Sequence, residues 1–345
     1  MILIIGDNLL SMNISSLHLY SMNLTAKRVV AIASTAAMLI ITGCGSSESS
    51  VSEQTNEPRA NIVVTYSVLG SVVEQLVGDL ATVSVIIPDG QDPHEFQPSA
   101  KDIESLNNAV LVVANGLDFE EGLEEPIDQA IDSGVNVFMV GDHITVREVS
   151  KDEDHSHDED HAEEESTETT VESEEEHAHG AYDPHLWLSP AAMLEMLPAL
   201  TDAISTATGA DLTSQLASLQ SELTALDTQI KETIDGITCE LVSGHDEMVY
   251  FAERYGCEVI GAIIPSLSTT SEASAGELAA LKVEVETHGV PAIFTGLGTS
   301  QEVADQLASE LGVKAVTLST HFLDGAANYQ EFMLRMTMQI AEALS

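Results

Sequence analysis

From Asn61 onward the chain alternates short apolar runs with helical stripes. "NIVVTY" (61–66) and "TVSVII" (82–87) are rich in β-branched residues and predict strands. Val68 to Leu80, between them, repeats apolar residues at helical spacing. Pro88-Asp89-Gly90 ends the second run with turn residues. "AVLVVA" (109–114) and "VNVFMV" (135–140) complete a set of four. A helix that Ser99 can cap, with Asp102 as capping-box partner, precedes the third run. A helical stretch around Phe119 to Ile131 precedes the fourth. Runs that are apolar on both faces suit parallel strands covered by helices.

The second half repeats the count. "CELVSG", "CEVIGAI", "PAIFTG" and "VKAVTL" predict strands. Helices are expected near Asp246–Tyr255, Ala275–Thr287, Ser300–Leu311 and Asn328–Leu344. Two helical patterns lie between the halves, one after Pro190 and one from Asp211 to about Asp235. The latter places Leu212, Leu216, Leu219, Leu223, Leu226 and Ile230 three and four apart, as one buried stripe. At ~1.5 Å per residue it is long enough to brace two domains. The expected fold is α/β: two domains, each with a four-stranded parallel sheet flanked by helices, joined by a long rigid helix. The expected boundaries are 61–209, 210–236 and 237–345. Ligands of open α/β sheets bind beyond the carboxyl ends of strands, so the site belongs in post-strand loops between the domains.

Composition sharpens this picture. The 345 residues hold 11 Lys and Arg against 57 Asp and Glu, a net charge of −46. Nucleic acid is excluded as a partner, since binding it requires cationic side chains to displace counterions. Attraction of cations and solubility in a salty habitat both fit the acidity. Residues 151–180, "KDEDHSHDEDHAEEESTETTVESEEEHAHG", contain fourteen carboxylates, one lysine and five histidines: His155, His157, His161, His177 and His179. So polar a run buries too little surface to fold. Its histidines suit weak metal binding in many geometries, and a solvated spacer is the plainer reading.

The N-terminus reads as a secretory leader. Lys27-Arg28 precede the apolar run Val29 to Ile41, and "ITGC" ends at Cys44. Residues 1–21 read as an upstream extension of a leader spanning 1–43. The motif resembles the lipobox of bacterial lipoproteins, which implies cleavage before Cys44 and lipid on its thiol. Residues 44–60 then form a Ser/Glu-rich tether. Outside the cytoplasm the other two cysteines, Cys239 and Cys257, are expected to form a disulfide; two separate buried thiols are the alternative.

Four further histidines follow strands or stand beside the acidic run: His94, His185, His245 and His321. "Asp-Pro-His" occurs twice, at 92–94 and 183–185. Proline stiffens the backbone before each imidazole, and Asp92 or Asp183 can orient a ring or cap a turn. Neutral imidazoles from both halves suit a tetrahedral Zn²⁺. A hydrolase would need a carboxylate base at an open metal position, with Glu95 or Asp246 as the nearest choices. No H-E-x-x-H, G-x-S-x-G or phosphate-binding P-loop occurs.

Together, "PDGQDPHEFQPSAKDIESLNNAVLVVANG", "YDPHLWLSP", "SGHDEMVYFAERYGCEVIGAI" and "NYQEFMLRMTMQIAEAL" resemble the zinc/manganese branch of ABC-transporter substrate-binding proteins, across residues 61–345. The resemblance implies two α/β domains around a rigid helix, one metal in the cleft and no bond chemistry. It also implies a monomer held at the membrane by lipid on Cys44, delivering its metal to an ABC permease driven by an ATPase. His94 and His185 match the two ligands of the first domain. His245 matches the third, where manganese members usually have Glu. The fourth is usually Asp; here an ungapped match places His321, with Asp324 three residues on. Gly296 and Gly298 stand where relatives often carry an acidic residue. A His- and acid-rich loop is common in zinc members. The implied cargo is therefore Zn²⁺ rather than Mn²⁺. A manganese or iron receptor, a zinc-dependent hydrolase and an adhesin are the alternatives.

Overall fold

The computed structural model describes residues 59–148 and 182–345. The leader, Cys44, the tether and the histidines of the acidic run lie outside the described residues. The first half forms β1 (Asn61–Tyr66), α1 (Ser67–Val77), β2 (Thr82–Ile87), α2 (Ala100–Asn107), β3 (Leu111–Ala114), α3 (Glu124–Asp132) and β4 (Val137–Met139). All three strand pairings are parallel, in the order β2-β1-β3-β4. Ser99 and Asp102 close the capping box of α2 reciprocally, an arrangement that stabilises a helix start by about 1 kcal/mol.

Then come α4 (Pro190–Thr208) and α5 (Thr213–Ile234). α5 starts at Thr213 because the Asp211 carboxylate accepts from the Thr213 N–H at 3.1 Å and turns the chain there. It buries Leu219, Leu223, Leu226, Ile230 and Ile234. Leu212 is buried just ahead of it and Leu216 is half-buried. The second half forms β5 (Glu240–His245), α6 (Val249–Tyr255), β6 (Glu258–Ile264), α7 (Ala275–His288), β7 (Ala292–Thr295), α8 (Gln301–Leu311), β8 (Lys314–Thr317) and α9 (Tyr329–Leu344). Parallel ladders join β5 to β6 and β7 to β8, and β5 packs beside β7. Unlike the single four-stranded sheet expected, the second half therefore holds two two-stranded sheets, with no ladder joining β5 to β7 among the described residues. In the first sheet the strand order reverses between β1 and β3, where α/β sheets open a crevice.

α5 lies against α1, α4, α6 and α9, so it contacts helices of both halves. One hydrophobic cluster runs from the first sheet through α4 and α5 into β5, β7 and α9. A smaller one fills the space between β5–β8, α7 and α8. Among the described residues no helix is long and apolar enough to cross a membrane.

Cys239 and Cys257 are disulfide-bonded, just before β5 and β6, across 18 residues. A loop of that length restricts the unfolded chain by about 3 kcal/mol. Replacing both cysteines by serine is therefore expected to lower unfolding free energy by about that amount in urea titrations. Two free thiols at these positions in the unreduced, unfolded protein would contradict the bond.

Candidate metal centre

Three loops and the last residue of β5 carry the predicted histidines. His94 stands between β2 and α2, where the Asp92 carboxylate accepts the His94 backbone N–H at 3.1 Å. The second "Asp-Pro-His" goes further. One oxygen of Asp183 accepts both the His185 backbone N–H, at 3.0 Å, and the ring Nδ1–H, at 2.8 Å. That bond turns His185 Nε2 outward and fixes its tautomer. His245 is the last residue of β5, and its carbonyl accepts from the Ser243 hydroxyl at 2.6 Å. His321 follows β8, with the Thr320 hydroxyl 3.0 Å from its Nδ1. The Trp187 indole N–H donates to the Thr320 carbonyl at 2.7 Å, tying the His185 and His321 loops together.

The rings converge. Each histidine offers a nitrogen within 4.8 Å of those of the other three. The six ring-to-ring distances run only from 5.0 to 5.8 Å. His185 Nε2 and His245 Nε2 are 3.1 Å apart. Four nitrogens at ~2.0–2.1 Å from a central Zn²⁺ stand roughly 3.3 Å from one another in a tetrahedron, so this spacing fits. All four side chains are at most 2% exposed. His94 Nε2 and His321 Nε2 are buried without a hydrogen-bond partner. Buried polar atoms rarely stay unpaired, and these two face a place that a cation would complete.

Burial favours the neutral form of His185, His245 and His321, which leaves their lone pairs free for a metal. It holds His185 below the usual histidine range, although the Asp183 bond pulls the other way. The pair is thus a neutral imidazole donating to a carboxylate rather than an ion pair. Burial, joined by the neighbouring rings, holds His245 and His321 well below that range. Beneath them lies Glu247, whose carboxyl oxygens are 3.8 Å from His245 Nδ1 and 3.6 Å from His321 Nδ1. Burial pushes this carboxyl up to about 8. Glu121 lies 3.7 Å from His94 Nδ1 and accepts from Ser268 of the opposite half at 2.5 Å.

The residues that converge are thus His94, His185, His245 and His321, a group that could hold a metal ion. Asp324, the alternative fourth donor, is not among them. It is exposed at φ 50° in the turn beyond, and its carbonyl accepts from Arg335 at 2.6 Å. Glu95 is exposed, facing away from the buried His94 ring. Gly298 has φ 76°, and a Cβ there would lie 2.3 Å from Thr269 and 2.9 Å from the Asp92 carboxylate. An acidic side chain would therefore not fit at position 298, whereas a Cβ at Gly296 would lie 3.1 Å from the Leu318 carbonyl, tight but not a clash. Glu247, Phe119 and Trp187 also lie against these rings, and the sequence assigns none of them a role at the site. Glu240, Glu258 and His288 also come within 4.8 Å of one another, but near the surface, where water competes for a cation.

The chain is similar to several known metal-binding proteins. Residues 62–343 match the family described as the periplasmic component A of the zinc-uptake complex, ZnuA. The chain is 30% identical over 304 residues to the high-affinity zinc uptake system protein ZnuA of Bacillus subtilis, covering 86% of this chain and 88% of that protein. It is 24% identical over 281 residues to the manganese-binding lipoprotein MntA of Halalkalibacterium halodurans, covering 80% and 83%. Against the zinc-binding protein AdcA of Streptococcus pyogenes, 28% identical over 268 residues and 76% of this chain, it spans only 50% of the relative's length. The fold matches the periplasmic zinc-binding protein TroA of Treponema pallidum with a TM-score of 0.68 at 21% identity, over 83% of this chain and 99% of that one.

Proposed function

This chain belongs to the ZnuA family of periplasmic zinc-uptake components, and from that membership we propose that it captures Zn²⁺ between its two halves and hands it to an ABC permease. The family is one of extracytoplasmic metal-binding solute receptors, not enzymes. The observation that carries the zinc reading is the donor set: four buried imidazoles with no carboxylate among the converging atoms. Nitrogen donors in a small tetrahedral cage suit Zn²⁺. Mn²⁺ favours oxygen donors and more of them. The manganese-binding relative keeps a manganese receptor as the second reading.

In this reading residues 61–209 and 237–345 act as two jaws on the helix 210–236. Cys44 anchors the receptor to the outer face of the membrane by lipid, and it works as a monomer. The acidic run collects Zn²⁺ loosely and is not needed for tight binding. An adhesin reading has no feature of the site in its support.

The test is metal content and growth. Protein purified without added metal is expected to carry zinc and to prefer it over manganese in competition. Loss of the gene is expected to slow growth only under zinc starvation, with rescue by added zinc. Retention of manganese in the competition, or rescue by manganese alone, would overturn the zinc assignment.

A further inference from the structure

The segment between β3 and α3 adopts a costly conformation. Gly116, Leu117 and Asp118 have φ of 74°, 59° and 59° in succession. Two of the three are not glycine, and left-handed backbone is unfavourable for residues with a Cβ. Such conformations persist only where the surroundings hold them, and they concentrate at functional sites. Here the anchor is Glu120, which is buried. Its carboxylate accepts the backbone N–H of Asn115 at 2.8 Å, that of Gly116 at 3.2 Å and the Thr65 hydroxyl at 2.5 Å.

What this segment places is Phe119. Its ring is fully buried and stands 5.0 Å edge-on from His94 and 6.2 Å from His185. It lies nearly parallel to His321, at 5.9 Å and 14°. Tyr66 and Trp187 back it at 5.0 and 4.4 Å. One apolar ring therefore touches three of the four histidines.

We propose that Phe119 is the specificity-determining residue of this site: its ring denies the cation a fifth donor and thereby disfavours Mn²⁺ relative to Zn²⁺. The proposal rests on the four-histidine reading given above. Zn²⁺ is satisfied by four ligands, whereas Mn²⁺ needs further oxygen atoms from water or carboxylate. The nearest buried carboxylates, Asp183 and Glu247, stand at the Nδ1 edges of the rings, so a fifth donor would be water, and in this proposal the Phe119 ring fills its place. A ring that only filled the core would affect both metals alike.

The experiment uses the mature chain with Phe119→Ala and Phe119→Leu, checked for folding by circular dichroism. Zn²⁺ and Mn²⁺ affinities are measured by competition, and Co²⁺ serves as an absorption probe of coordination number. In Phe119→Ala the Zn²⁺-to-Mn²⁺ preference is expected to fall by at least about tenfold, the scale of one outer contact at a metal site. The Co²⁺ band is expected to lose the intensity that marks four-coordination. Phe119→Leu keeps the core filled but lacks the flat ring, and shifts the preference the same way by less. An unchanged ratio in the folded leucine variant, or equal losses for both metals in either variant, overturns the proposal. A wild-type chain that lacks four-coordinate Co²⁺ would instead refute the four-histidine reading.

Discussion

Replacing His185 by alanine lowers Zn²⁺ affinity by more than about 100-fold, beyond the 10–100-fold that follows loss of an outer partner. Three effects add. One of four donors is lost. The 3.1 Å Nε2 contact with His245, which sets the nitrogen spacing, disappears. The fully buried Asp183 loses the ring that its carboxylate holds at 2.8 Å and keeps only the backbone N–H of residue 185, and an under-paired buried carboxylate is costly. The last effect reaches stability too, so the melting of metal-free wild type and variant is compared alongside. Asp183→Asn keeps the ring and is expected to weaken binding by about 10–100-fold. Deleting residues 152–179 is expected to leave tight binding in place. Chelator competition measures all three; a deletion more harmful than His185→Ala would remove the cargo from the four-histidine site.

Acidification destabilises the metal-free protein between about pH 6.5 and 5. His185, His245 and His321 are held below their ordinary value near 6.5 when folded. Below pH 6.5 the unfolded chain therefore takes up protons that the folded one refuses. Stability is complete above that pH and is lost as pH falls toward the depressed folded values. Glu247 acts in the opposite sense. Raised to about 8, it contributes most below its unfolded value of 4.5, and that contribution fades as pH rises. Three rings outweigh one carboxyl, so up to two net protons remain, each worth about 1.4 kcal/mol per pH unit. Urea denaturation in the presence of chelator at pH 7, 6 and 5 reads the slope. A flat or rising stability would show that the rings are charged when folded.

Much of this was legible from pattern. Strands showed as β-branched runs and α5 as a leucine stripe. The donors showed as histidines behind strands, twice preceded by Asp-Pro. Packing decided the remainder. Sequence periodicity assigns Phe119 to a helix, but α3 begins at Glu124 after a single turn, Glu121–Leu123. Nothing local announces two non-glycine left-handed residues, because Glu120 and Thr65, 55 positions apart, hold them. Glu247 was likewise hidden inside an expected helix from Asp246. That helix starts at Val249 and frees the carboxyl to turn beneath the rings. Asp183 and Asp92 look equivalent in sequence; the structure shows only Asp183 reaching its ring. His321 against Asp324 was a question of register; His321 is buried in the cluster and Asp324 is exposed.

Trp187 is the sole tryptophan of the chain. Its indole lies 5.4 Å from His185 and 5.6 Å from His321, while its N–H reaches across to the other half. Every photon of indole emission from this protein therefore originates at the wall of its cargo site. Metal entry that shifts either imidazole, or a parting of the halves that breaks the Thr320 bond, alters the surroundings of that one emitter. The receptor carries its own optical gauge, readable in stopped flow without a label.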